Sequence, residues 1–172
     1  MLRISELAAG GGRAQDALWL PFELRRRSHV RAKLESGGEA ALYMERGTVL
    51  KDGDLLRAED GSLIVVRAAP EEVSCARTLD AHLLSRAAYH LGNRHVALQV
   101  LPGELRYLHD HVLDEMVRSL GLTVKKEAQP FEPEAGAYGG HGHSHGDAHD
   151  HEHDHGDGHS HSHDHHGHDH EH

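Results

Sequence analysis

The 172 residues carry a formal charge of −10 at pH 7. Eight of the 28 acidic residues lie in the last 32 residues. The rest of the chain has 20 acidic and 18 basic residues and is almost neutral. This balance predicts no basic surface for nucleic acid. The single cysteine, Cys75, excludes an internal disulfide framework and fits a small buried residue in a reducing compartment. No apolar run approaches the roughly 20 residues of a membrane helix and the N-terminus has no signal-peptide pattern, so we expect a soluble, cytoplasmic protein without a membrane partner.

The first 70 residues are predicted to form short strands joined by tight turns. The strands fall over residues 1–7, 40–45 and 63–66, with turn signals at Ser36-Gly37-Gly38, Asp52-Gly53 and Asp60-Gly61. Strands at this spacing predict a small antiparallel β domain over residues 1–70, closed by Pro70. The basic run Arg25–Arg27 is expected on the surface at a strand end.

From residue 71 the apolar positions change to a helical period. The predicted elements are a strand over 72–76, a helix from the N-cap Thr78 to Leu91, strands over 96–101 and 105–108, a helix capped by Asp110 and ended by Gly121, and a strand over 122–126. Gly92-Asn93 is expected to supply a left-handed helix stop. The order β-α-β-β-α-β is ferredoxin-like, so we predict an α+β protein with a ferredoxin-like domain over 71–128 and an extended linker over 129–140.

The last 32 residues, 141–172, form a segment that we call the His-rich tail. It contains no Lys or Arg, and its fifteen histidines are His141, His143, His145, His149, His151, His153, His155, His159, His161, His163, His165, His166, His168, His170 and His172. A segment with almost no apolar side chains cannot offset the entropy of ordering its backbone, so a disordered tail is predicted.

The composition of the His-rich tail favours metal binding. Imidazoles are mostly neutral at pH 7, and neighbouring histidines spaced two apart can close on one ion while interleaved carboxylates gather cations. Imidazole with carboxylate suits nickel, zinc, copper(II) or iron. The alternatives are a purification tag, which is usually an uninterrupted histidine run, or a polar tail without ligands.

Six histidines lie outside the tail. His29, His82 and His90 fit surface or packing roles. His95 opens a predicted strand directly after a helix, where a side chain projects from a rigid frame, so it is a candidate metal ligand. His109 and His111 flank the predicted N-cap of the second helix, and in extended chain they would point to one side and could share an ion, although a helix start repels cations.

Several strings in this chain resemble the urease accessory protein E family, the nickel metallochaperones of urease maturation. They are Tyr89-His90-Leu91-Gly92-Asn93-Arg94-His95, Gln99, His109-Asp110-His111-Val112-Leu113 and Pro130-Phe131-Glu132-Pro133-Glu134 before the His-rich tail. The resemblance implies a β N-terminal domain similar to chaperone peptide-binding modules and a ferredoxin-like metal-binding domain. It also implies a homodimer through the C-terminal domain.

The resemblance assigns roles to particular histidines. His95 maps to the central Ni²⁺ ligand, which both subunits contribute, and His109 and His111 map to peripheral ligands. The implied partners are the urease apoenzyme and its accessory complex, including the accessory GTPase, and Zn²⁺ or Cu²⁺ can compete for the ligands. Because the tail varies in length among relatives, we expect it to act as a reservoir.

Three alternative functions are considered beside metal delivery. A metal buffer or storage protein without a dedicated client would need the same ligands. A zinc hydrolase would need three closely placed ligands and a base, and no HExxH or comparable string is present, so an enzyme is not expected. A peptide-binding chaperone acting through the N-terminal sheet could coexist with metal carriage.

Overall fold

The computed structural model describes residues 1–136, which form two β-sheets with three helices. The strands are β1 Leu2–Leu7, β2 Asp16–Leu20, β3 His29–Lys33, β4 Glu39–Tyr43, β5 Leu55–Ala58, β6 Leu63–Ala68, β7 Pro70–Arg77, β8 Gln99–Leu101, β9 Glu104–Leu108 and β10 Thr123–Pro130; the helices are α1 Phe22–Arg25, α2 Ala81–Gly92 and α3 His111–Ser119. The predicted α+β class is confirmed.

The N-terminal sheet has six strands in the order β2-β6-β5-β1-β4-β3, and it is mixed. The prediction of an antiparallel sheet is wrong in this respect, because β1 pairs in parallel with β4 and β2 pairs in parallel with β6. Tight turns reveal only hairpin neighbours, whereas parallel pairs need long crossover connections that leave no local signal. Alternate side chains of these strands fill one apolar core, including Ile4, Leu18, Leu42, Leu56 and Val66.

The second sheet has the order β10-β7-β9-β8, with every neighbouring pair antiparallel. With α2 between β7 and β8 and α3 between β9 and β10, this confirms the ferredoxin-like arrangement. One side of the sheet packs on the helices through a core that contains Leu91, Leu105, Tyr107 and Val117.

The other side of this sheet combines a small apolar cluster with ion pairs. Cys75 is fully buried, as predicted, and it packs beside Val73 and Phe131. Burial raises the pKa of its thiol to about 11. Arg77 bridges Glu104 and Glu127 from neighbouring strands. Its side chain holds the pKa of Glu127 down at about 2.

Both longer helices begin at a capping aspartate, and the cap of α2 lies two residues after the predicted one. The Asp80 carboxylate accepts from the backbone N–H groups of His82 and Leu83, so Asp80, and not Thr78, is the N-cap of α2. The Thr78 hydroxyl instead accepts from the Asp80 N–H. Asp110 caps α3 as predicted, accepting from the two residues that follow His111.

Arg25 departs most from its prediction, because its side chain is only 1% exposed. The guanidinium donates to the carbonyl oxygens of Leu20, Leu50 and Phe131 and lies 3.4 Å from the Glu132 carboxylate. The segment expected to be a linker therefore begins as folded structure: residues 129 and 130 belong to β10, and Phe131 is fully buried. None of the three helices within residues 1–136 has the length and apolar character needed to cross a membrane.

Candidate metal-binding site

His95 lies in the turn that follows α2, and its imidazole belongs to an exposed residue. Its φ of 56° is the only positive value at a non-glycine residue in the part of the chain that the structure describes. A left-handed conformation costs an ordinary residue roughly 1–2 kcal/mol. The predicted stop at Gly92-Asn93 is thus displaced, because Asn93 keeps a helical φ of −63° and the left-handed position is His95 itself.

Packing on both sides of the turn holds His95 in this conformation. Leu91 is fully buried in the helix-facing core, and Val96 and Leu98 pack against the same core from the other side. Within the turn the His95 N–H donates to the Gly92 carbonyl at 2.9 Å. The imidazole is therefore presented from a fixed backbone, which is the property expected of a candidate ligand.

The end of the described chain lies beside this segment. The Glu134 N–H donates to the Leu98 carbonyl at 2.8 Å, and the Glu132 N–H donates to the Gln99 side chain at 3.1 Å. Leu98 is three residues after His95, and His141 is five residues after Gly136. At about 3.3–3.6 Å per residue, five residues span at most about 18 Å.

His109 is held from one side of its ring. Its Nδ1 lies 3.1 Å from the Ser74 hydroxyl and 3.5 Å from the Asp114 carboxylate, and its side chain is 30% exposed. Its backbone N–H donates to the Glu72 carbonyl of β7 at 3.1 Å. The hydrogen bonds that residues 1–136 make to this ring go to Nδ1, which leaves Nε2 for a ligand role.

His111 occupies a different setting from His109, because it is the first residue of α3 and is exposed. The two do not form a continuous extended pair, because Asp110 has extended backbone but His111 already belongs to the helix. The N–H of Leu113, followed by that of Val112, holds the pKa of Asp110 below its ordinary value. The ionised cap partly offsets the repulsion of a cation by the helix start.

The remaining histidines of the body lie on the surface. His82 and His90 are exposed on α2, and His29 contacts Ser28 and packs edge-on against Tyr43. Within residues 1–136 no three His, Cys, Asp or Glu side chains converge to hold an ion. The fifteen histidines of the tail lie outside the described residues.

Sequence reasoning did not single out the residues behind His109. Ser74, Tyr107 and Asp114 form a buried polar cluster there, and Asp114 is only 2% exposed. One signal could have found it, because Asp114 lies three residues before Val117 on the buried face of α3, where a charged residue needs partners.

Known proteins match this chain over both sheets. Residues 3–69 match the family described as UreE urease accessory protein, N-terminal domain, and residues 71–172 match the C-terminal domain of the same family. A urease accessory protein UreE of Alkalilimnicola ehrlichii is 52% identical over 140 residues, covering 81% of this chain and 86% of that protein. Similar proteins of the same name from Pseudomonas putida strain GB-1 and Vibrio parahaemolyticus are 60% and 56% identical, covering 69% and 70% of this chain and 73% and 76% of their own.

These matches define the class of the protein as a urease accessory protein, which is not an enzyme. The chain belongs to the UreE family of urease accessory proteins.

Proposed function

We propose that this protein is a nickel-binding metallochaperone that delivers Ni²⁺ for assembly of the urease active site. Family membership supports a role in urease maturation. The observation that carries the metal-binding part is His95, an exposed imidazole in a left-handed turn between the buried Leu91 and the partly buried Val96 and Leu98. Residues held in such conformations by their surroundings cluster at functional sites.

A single imidazole cannot hold Ni²⁺ tightly, so the site needs ligands from elsewhere. We propose that two copies pair through the ferredoxin-like domain, residues 71–128, and that each contributes His95. The lack of a three-ligand cluster within residues 1–136 of one copy is consistent with a site that is shared or completed by mobile groups. Ligands that leave one at a time allow the ion to be transferred in steps to the urease apoenzyme and the accessory GTPase.

The His-rich tail is proposed to gather Ni²⁺ and pass it to His95. Support comes from the contact of Glu134 with Leu98, which anchors the chain a few residues before the first tail histidine and close to the His95 segment. A short tether of this kind sets an effective concentration of ligand in the millimolar range. His109 and His111 would then act as peripheral ligands.

Selectivity for nickel cannot come from the ligand type. Nitrogen ligands bind Cu²⁺ more tightly than Ni²⁺, so Zn²⁺ or Cu²⁺ can compete at these histidines. Choice of metal must therefore lie in geometry, in the partner or in the cytoplasmic metal supply. A buffer or storage protein would hold the same ions but would show no dependence on the urease machinery.

The test is urease activation in cells that carry His95→Gly. Glycine removes the imidazole and also suits a φ of 56°, so the fold should be at least as stable as the parent. We expect urease activity to fall while the purified variant stays folded. His90→Ala, an exposed histidine on the last turn of α2, is the control and should retain activity. Full activation with His95→Gly would overturn the role assigned to His95.

A further inference from the structure

The buried cluster behind His109 is organised around the Asp114 carboxylate. The Tyr107 hydroxyl donates to Asp114 Oδ1 at 2.9 Å, and Arg118 lies 3.5 Å from Oδ2. Burial raises the pKa of Tyr107 above its ordinary value and the hydrogen bond to Asp114 raises it further, so the phenol keeps its proton and remains a donor.

Ser74 places the cluster in the sheet. Ser74 of β7 is fully buried and is the cross-strand partner of Tyr107 in β9. Its hydroxyl lies 3.1 Å from Nδ1 of His109, and Asp114 Oδ2 lies 3.5 Å from the same nitrogen. One strand and one helix thus each place an oxygen near the same ring nitrogen, and Tyr107 of β9 holds the Asp114 carboxylate.

This arrangement selects one neutral form of the imidazole. A lone pair on Nδ1 would face a carboxylate, whereas an N–H there can donate to the Ser74 hydroxyl and is attracted by Asp114. The proton therefore belongs on Nδ1, and the lone pair is on Nε2. Hydrogen bonds to the non-ligating nitrogen fix tautomer and ring orientation at metal-binding histidines in general.

We propose that Asp114 and Ser74 are positioning residues that hold His109 as an Nε2 donor for a divalent cation. This inference rests on the proposed function, because it takes His109 to be a ligand. In this proposal the ferredoxin-like core preorganises the peripheral site, which is therefore more than a pair of surface histidines.

The experiment uses the full-length chain with the fifteen tail histidines changed to glutamine, so that the tail does not mask weaker sites. The tautomer of His109 is read from long-range ¹H–¹⁵N NMR spectra, with the signal assigned by its loss in His109→Gln. Affinity for Ni²⁺ alone is measured by calorimetric titration of the same samples.

In the full-length chain with the substituted tail and no other change, we expect the Nδ1–H form of His109. Asp114→Asn and Ser74→Ala should each shift the ring toward the Nε2–H form and weaken the His109-dependent Ni²⁺ binding by about 10–100-fold. Leu83→Ala, which removes apolar volume from the same core on α2, an element that contributes no residue to the cluster, is the control and should change neither the tautomer nor the affinity. If Asp114→Asn does not fold, Ser74→Ala decides, since it removes one buried hydroxyl and keeps the strand.

Two negative results have different meanings. If His109→Gln itself leaves Ni²⁺ binding unchanged, His109 is not a ligand and that part of the proposed function is wrong. If His109→Gln weakens binding but Asp114→Asn and Ser74→Ala alter neither tautomer nor affinity, the positioning role is overturned and the proposed function stands.

Discussion

Arg25 offers the sharpest test of how the N-terminal sheet is joined to the segment that leads to the tail. Its guanidinium donates to three backbone carbonyls, two in the N-terminal half at Leu20 and Leu50 and one at Phe131. It also pairs with Glu132, whose carboxylate accepts from the Asp52 N–H at 2.7 Å. We expect Arg25→Met to disrupt this connection while keeping much of the apolar volume.

The magnitude follows from these contacts. Hydrogen bonds to charged groups contribute about 1.5–3 kcal/mol each, and a buried acceptor that loses its donor carries a desolvation penalty. Removal of one partner of a buried ion pair costs about 3–5 kcal/mol. Because Glu132 remains partly exposed and some carbonyls can reach water after relaxation, we expect the free energy of unfolding to fall by about 4 kcal/mol.

The assay is thermal unfolding followed by near-ultraviolet circular dichroism. A loss of this size lowers the midpoint by roughly 15 °C in a domain of this length. Arg26→Met is the matched control, because Arg26 is the next residue, is 56% exposed and should change stability by less than about 0.5 kcal/mol. Equal midpoints for the two variants would refute the assignment of Arg25 as the connection. Faster amide exchange at Phe131 and Glu132 in Arg25→Met should accompany the loss.

Three further outcomes are expected. Deleting residues 141–172 should reduce bound Ni²⁺ from several equivalents per proposed dimer to one or two with an unchanged midpoint of unfolding; a lower midpoint would show that the tail supports the fold. Ni²⁺ binding should fade between about pH 7 and pH 5, because protonated imidazoles no longer act as ligands, and titrations that agree at both pH values would exclude imidazole ligands. Arg77 depresses the pKa of Glu127 to about 2 from an ordinary value of 4.5, so its stabilisation is present above pH 4.5 and is lost as the pH falls toward 2. Glu127→Gln should therefore lower the midpoint much less at pH 2 than at pH 7, because the native carboxyl is already about half protonated at pH 2. An equal difference at both pH values would contradict this interpretation.

The C-terminal half was predictable because its signals are local. The change of apolar period at residue 71, the Asp110 cap and the Gly121 stop each act within a few residues, and together they give the ferredoxin-like order. Thr78 and Asp80 are both good N-cap types two residues apart, so the pattern alone could not choose between them. The structure places the cap at Asp80 and uses Thr78 to hold the Asp80 backbone.

Features that depend on tertiary contacts could not be predicted from the sequence. Among the described residues β2 pairs in parallel with the distant β6, and such a pair has no turn signal in the sequence. Arg25 looks like its surface neighbours in the basic run, and only the carbonyls gathered around it make it a core residue. The left-handed φ of His95 has no sequence signal either, since glycine is the usual residue in such a conformation and Gly92 lies three positions earlier.

Metal carriage is tested most directly by equilibrium dialysis of the chelator-free, full-length protein against Ni²⁺ at neutral pH, with bound metal counted per chain. We expect uptake of more than one Ni²⁺ per chain, held on neutral imidazoles and removable by apo-urease with its accessory complex. A protein that binds no nickel under these conditions would contradict this expectation.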